Sequence, residues 1–277
     1  MFKSKPCAGR WHAARRCLAI STPYPGIVKS VRVLNKQVRK MKVEALRSSI
    51  VRDLKSYGTP GGNPRLQAYL GSPYPVFGMS TPQMREVTKT NEKVFKQMNV
   101  KELNALSELL WGGSTFEEKS FAISLLDSRS EELDDESWSI ANRWIEQAQG
   151  WALCDSLGSG PISAMLRRDL SRFKEVLEWT TSTNLWRRRI STYAMRDFVF
   201  AGELERPFTL LSRLLLDKEF WVQRAVGTWL RECWKKDRLK TETFLLRHVR
   251  GLPRVVITVA TERAPKTFRE ELRRKRM

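Results

Sequence analysis

The sequence predicts an all-α protein built as a solenoid of helical-hairpin repeats. Three observations carry that expectation. Helix-length segments with cap signals follow one another almost without a break from Glu44 onward, and Val- and Ile-rich alternation between turn dipeptides is missing. Aromatic residues also recur at one fixed interval, as a stacked repeat requires.

The elements justify themselves in order. "MKVEALRSSIVRDLKSYG" reads as a first helix that stops at Gly58, and "TPGGNP" is a loop. "STPQMREVTKTNEKVFKQM" opens with Ser80 or Thr81 as the cap and Pro82 in the first turn, where its missing N–H costs nothing. "KELNALSELLWGG" ends on a glycine pair, and "STFEEKSFAISLLDS" begins with Ser114 three residues before Glu117, the spacing of a capping box. Further helices are expected from about Asp134 to Gln149, Asn184 to Phe200, Phe208 to Leu216, Glu219 to Lys236 and Thr241 to His248.

The expected organisation is a basic arm over residues 1–43, a helical-repeat domain over 44–262 and a basic tail over 263–277. Residues 1–43 contain no acidic residue. Their Arg-rich, Ser-containing composition is that of a transit peptide, while a translated leader or a disordered arm fits equally. A leader would direct the chain to an organelle or the nucleus; without one, a cytoplasmic or nucleoid-associated protein is expected.

Phe116, Trp151, Trp186 and Trp221 are separated by 35 residues each. That is the size of a helical hairpin, and hairpins of this kind stack into a solenoid with a concave binding face. Three of the four carry a base three positions on, namely Lys119, Arg189 and Arg224. The plain reading of Trp186 and Trp221 is packing between neighbouring repeats.

Charge narrows the function. The chain has 277 residues, a net charge of +20 and a pI near 10.2, which point to a polyanionic partner. No apolar run reaches the roughly 20 residues that span a bilayer. His12 and His248 are too few and too distant for an HExxH protease, and neither has a triad motif around it. Cys7, Cys17, Cys154 and Cys233 form no CxxC, and the Cys7–His12–Cys17 spacing fits no common zinc finger. No metal and no cofactor are expected.

One repeat breaks the pattern. The segment after Trp151 reads "GWALCDSLGSGP", with Asp155 one helical turn from Trp151 and therefore on the same face. A lone aspartate in so basic a chain is ordinarily a cap or a salt-bridge partner. Its neighbours supply a different context. "NLWRRRISTYAMRDF" presents Arg187, Arg188 and Arg189 in three directions around a helix. "EFWVQRAVGTWLRECWKKD" interleaves Trp221, Trp229 and Trp234 with Arg224, Arg231 and Lys235. Bases interleaved with aromatics suit a phosphate-gripping surface, although a solvated helix face looks similar.

These strings, together with "YLGSPYPVFGMSTPQMR", resemble the HEAT-like repeat DNA glycosylases of the AlkD type, over roughly Tyr69 to Arg254. The resemblance implies a monofunctional enzyme that removes purines made cationic by N3 or N7 alkylation. It implies that Trp151 and Asp155 are the active-site pair, that Arg189 is the active-site arginine that contacts DNA, and that Tyr69 is the tyrosine near the first repeats. It departs at Thr228, where the family has a second active-site Trp; Trp229 follows, about 100° further around a helix.

The expected catalytic residues are thus Asp155, Trp151 and Arg189. Those expected to meet DNA are Tyr69, Arg187, Arg188, Arg224, Trp229, Arg231, Lys235 and Arg254. Duplex DNA is the expected partner of a monomeric chain. Two readings stay open: an alkylpurine glycosylase, favoured by the retained Trp151, Asp155 and Arg189, and a non-catalytic DNA-binding repeat protein with a degenerate site, favoured by Thr228. A more distant third is a repeat scaffold for acidic proteins.

Overall fold

The computed structural model describes residues 25–276, with side chains described from Gln37 onward. Cys7, His12 and Cys17 therefore lie outside the described residues. Among the described residues there is no strand, and no helix is long and apolar enough to cross a membrane. The chain divides into two compact units, Met1–Met41 and Lys42–Met277.

Helix α1 (Pro25–Ser56) begins well before the start expected at Met41. Its Val43, Ile50, Val51 and Leu54 are the first side chains of the core of the second unit. There follow α2 (Pro64–Leu70), α3 (Thr81–Gln97), α4 (Val100–Trp111), α5 (Phe116–Asp127) and α6 (Asp135–Gln147). Next come α7 (Trp151–Leu157), α8 (Ser163–Arg168), α9 (Phe173–Glu178), α10 (Leu185–Tyr193) and α11 (Arg196–Phe200). The remainder is α12 (Glu205–Leu214), α13 (Phe220–Lys236), α14 (Arg238–His248), α15 (Arg254–Ala260) and α16 (Lys266–Arg276).

The 35-residue interval is a structural period. Phe116, Trp151, Trp186 and Trp221 stand at the first or second position of α5, α7, α10 and α13. These helices pack one on the next, and α15 continues the row. Trp186 and Trp221 meet across the repeat boundary with ring centroids 6.3 Å apart, which is the packing role expected of them. Each hairpin buries an apolar stripe against its neighbours, so no repeat closes its core alone.

Local chemistry sets the helix starts. Ser80 caps α3 and exchanges hydrogen bonds with Gln83, with Pro82 in the first turn as expected. The box on α5 sits one residue later than expected: Thr115, not Ser114, accepts from the backbone of Glu118, and Glu118 reaches back to Thr115. Both Ser114–Glu117 and Thr115–Glu118 have the required spacing, and the choice falls to the pair that leaves Glu117 free for another task. The buried Glu117 carboxylate accepts from the backbone N–H groups of Phe77 and Gly78, each at 2.9 Å. It thereby orders the loop that follows α2.

Two further expectations differ. The helix expected over Asn184–Phe200 is broken at Ala194 and Met195 into α10 and α11. The segment read as a C-terminal tail carries α16, whose Phe268 and Leu272 are buried in the core while its basic residues face outward. An apolar pair spaced by four residues gives even a strongly charged helix one face to bury.

Candidate active site

Helix α7 is short because the chain passes directly into a π-turn over Gly158–Ile162, where Gly160 leaves helical geometry and Pro161 lacks an N–H. Gly158 lies against α10: a Cβ there would stand 2.6 Å from Tyr193 Cβ and 2.9 Å from the Ile190 carbonyl oxygen. Only a glycine permits that approach, and it is what brings the side chains of α10 up to Asp155.

The start of α7 is fixed in a similar way. Gly150 has φ +82°, and a Cβ would come within 2.4 Å of the Gly71 carbonyl oxygen. This backbone contact seats the end of α2 beside Trp151. The Trp151 indole Nε1 donates to the Tyr69 carbonyl at 2.6 Å, and the two rings meet edge to face at 5.4 Å. Tyr69 itself is 68% exposed. Trp151 is half-buried, so Tyr69 and Trp151 form an open aromatic corner one turn from Asp155.

Asp155 meets Arg189 in a two-pronged ion pair, Nε to Oδ1 at 2.7 Å and Nη2 to Oδ2 at 2.8 Å. The guanidinium is 5% exposed and also donates from Nη1 to the Trp221 carbonyl and from Nη2 to the Tyr193 hydroxyl at 3.3 Å. The Asp155 side chain keeps 17% of its surface open. Burial pushes its carboxyl above the usual carboxylate range, while the Arg189 guanidinium pulls it back. Burial beside this carboxylate raises the Tyr193 phenol, and burial also raises the neighbouring Cys154 thiol. The arrangement is a carboxylate held in one orientation by Arg189, with part of its side chain still open to solvent.

The three residues expected to be catalytic are therefore adjacent, but Arg189 is placed differently from a DNA-contacting arginine. Its donors are taken up inside the protein. Trp229, expected to meet DNA, is a correction: it is 4% exposed, packs edge to face on Tyr193 at 5.4 Å and tilts against Phe200. The half-buried Thr228 precedes it, so the rotation of about 100° between neighbours on a helix carries the indole into the core.

Arg188 is a second correction, because it turns into an ion pair with the half-buried Asp217 at 2.7 Å and donates to the Ser182 carbonyl. Arg187 pairs with Glu146 and lies over the Trp179 ring. Arg231 pairs with Glu232 and Glu262, and Lys235 with Glu232. Arg224 and Arg254 are exposed, Arg224 lying over Phe220 and Arg254 opening α15. Lys119, which shares the position of Arg189 in its repeat, is buried and donates to the Trp111 carbonyl at 2.6 Å. Sequence reasoning missed Tyr193, which reads as an ordinary core aromatic; its position four residues after Arg189, one turn along the same face, was the available signal.

Among the described residues, no group of three His, Cys, Asp or Glu side chains is gathered in a way that could hold a metal ion. Cys154 and Cys233 are free thiols, both buried.

Comparison with known proteins identifies the family and the fold. Residues 50–264 match the family described as DNA alkylation repair enzyme. Among solved structures, the fold is similar to a protein from Enterococcus faecalis described as a "predicted DNA alkylation repair enzyme". The TM-score is 0.65 and the identity 16%, over 74% of this chain and 97% of that one. It is also similar to AlkD2 from Streptococcus mutans, with a TM-score of 0.53 and 18% identity over 65% of this chain and 89% of that one. At these identities the likeness is one of fold. No curated protein matches the chain.

Proposed function

The chain belongs to the DNA alkylation repair enzyme family, and on that premise we propose that it hydrolyses the N-glycosidic bond of cationic N3- or N7-alkylated purines in duplex DNA. The observation that carries the proposal is the Asp155 carboxylate, held by the two-pronged pair with Arg189, partly open to solvent and one helical turn from the half-exposed Trp151. An alkylated purine already carries positive charge and leaves without a general acid. What the reaction needs is an anion and an electron-rich surface near the cationic sugar that develops as the bond breaks. Asp155 supplies the first and orients a water, and Trp151 with Tyr69 supplies the second.

In this reading Arg189 acts through Asp155 rather than on the phosphates. Because its position is set before DNA arrives, the carboxylate spends no free energy on reorientation during the reaction. The exposed Arg224 and Arg254 are the expected phosphate contacts, and the affinity falls with salt accordingly. The second reading, a DNA-binding protein without base release, is favoured by Thr228 at the place of a second active-site indole. Incubation of the protein with methylated duplex DNA, followed by chromatography of the released bases, separates the two. Release of N7-methylguanine or N3-methyladenine is expected; DNA binding without release at stoichiometric protein supports the second reading.

A further inference from the structure

We infer that α15 and α16 together form a phosphate-binding cavity, in which Arg254, Arg269, Arg273 and Arg276 grip the backbone of duplex DNA. The inference takes its partner from the function proposed above, and it requires no base to be released. It extends the interface past residue 264, where the match to the family stops.

The cavity is built by the last two helices of the chain. Arg254, Ile257 and Thr258 share one face of α15, and Arg269, Leu272, Arg273 and Arg276 share one face of α16. These faces line a cavity of about 380 Å³. Its apolar lining is the buried Leu272 and the half-buried Ile257, while the four arginines and Thr258 are exposed. Because Phe268 and Leu272 dock α16 on the core, the arginines stand on a fixed element. Helix α15 is pressed against α13, where a Cβ on Gly227 would stand 2.7 Å from Val259 Cβ and 3.0 Å from the Val256 carbonyl oxygen. Through α13 and α10 it belongs to the packed row that carries Asp155 on α7.

Charge decides the ligand. No carboxylate lines the cavity, and among the described residues none of the four guanidinium groups has an ion-pair or hydrogen-bond partner. The glutamates of α16 are taken by its lysines instead, Glu270 by Lys266 at 3.8 Å and Glu271 by Lys275 at 3.0 Å. Arginines of the preceding helices differ too, since Arg187, Arg188, Arg189 and Arg231 are all paired with carboxylates. Arg269 and Arg273 stand four residues apart, a spacing at which like charges destabilise a helix. An external anion removes that repulsion. A guanidinium presents parallel N–H donors that match two oxygens of one phosphate, and the Thr258 hydroxyl offers a neutral donor beside them. A duplex brings several such anions at once, with a phosphate about every 3.4 Å along each strand.

The test measures binding of an unmethylated duplex at several salt concentrations, for wild type and two double variants. Arg269→Gln/Arg273→Gln removes two charges from the cavity. Arg274→Gln/Lys275→Gln removes the same charge from the same helix outside the cavity. All four side chains are exposed, so both variants are expected to melt within a few degrees of wild type. For the cavity variant the logarithmic salt slope should become shallower by about 1.8, which at 0.1 M salt weakens binding roughly 50-fold. The second variant should keep the wild-type slope and bind within about threefold. Equal losses in the two variants overturn the inference, because net charge alone would then account for binding. An unchanged slope in the cavity variant overturns it as well. Wild type that binds the duplex yet releases no base counts against the glycosylase reading alone, and the difference between the two variants still supports the cavity.

Discussion

Arg189 is the residue whose meaning changed most between sequence and structure. A basic residue three positions after a repeating Trp reads as a groove-lining cation, and the family resemblance makes it a DNA contact. In the structure its guanidinium is spent on Asp155, the Trp221 carbonyl and Tyr193. Removing one member of a buried pair leaves the other charge uncompensated, which costs about 3–5 kcal/mol. Arg189→Ala is therefore expected to lower the melting temperature strongly. The dependence of DNA affinity on salt is expected to stay unaltered in whatever protein remains folded. Arg224→Ala and Arg254→Ala should do the reverse, keeping the melting temperature and each reducing the logarithmic salt slope by about 0.9 per lost phosphate contact. Binding isotherms at several salt concentrations distinguish these patterns. An Arg189 variant that is stable but binds with a shallower slope contradicts the placement of its side chain. The juxtaposition of Asp155 and Arg189 was legible, because residues 34 apart in a 35-residue repeat fall on adjacent helices. That they would bind each other was not, since charge sign along a sequence does not say which partners are desolvated together.

At the scale of elements, the glycines around α7 decide the site. Gly150→Ala places a Cβ 2.4 Å from the Gly71 carbonyl in a left-handed conformation, so both the loop and the end of α2 must shift. The expected cost is about 1–3 kcal/mol, read from thermal unfolding. The Tyr69–Trp151 contact is expected to loosen, and a red-shifted tryptophan emission reports the wetter indole. Unchanged stability and emission contradict the seating of α2 on α7. Most of the helices were legible from caps and apolar spacing, as α3 shows with Ser80, Pro82 and Gln83. What was not legible lies where two local solutions compete. Ser114–Glu117 and Thr115–Glu118 satisfy the same capping rule, and only the tertiary demand on Glu117 from the loop at Phe77 and Gly78 selects between them. The π-turn after α7 and the break at Ala194 and Met195 are likewise set by how α7 and α10 approach one another. Trp229 failed for a related reason: a Trp among basic residues suggests a surface, and its burial depends on the space beside Tyr193.

For the whole molecule, the repeat is the organising fact. Because the core side chains of the second unit begin at Val43, a chain starting at Met41 is expected to unfold within a few degrees of the full chain. A loss of many degrees contradicts that assignment. Removing α16 has the opposite forecast despite its charge, since Phe268 and Leu272 leave the core together, and a clear drop in melting temperature is expected. The net charge of +20 gave the sign of the partner but not the surface that meets it, because Arg187, Arg188, Arg189, Arg231 and Lys235 are all engaged with carboxylates of the chain itself.

The central claim is that Asp155 stabilises a cation that exists only as the glycosidic bond breaks. Single-turnover release of N7-methylguanine by Asp155→Asn, measured beside the DNA affinity of the same protein, tests it most directly. The carboxylate repels phosphates in the bound ground state and attracts the developing sugar cation in the transition state, so its loss should lower the rate and not the DNA affinity, beside the loss of stability that an uncompensated Arg189 brings. A fall of about 10²–10³ in rate, with affinity equal to or slightly tighter than that of wild type, is the predicted result. A folded Asp155→Asn protein that releases base at the wild-type rate would show that Asp155 only fastens α7 to Arg189, and would contradict the account.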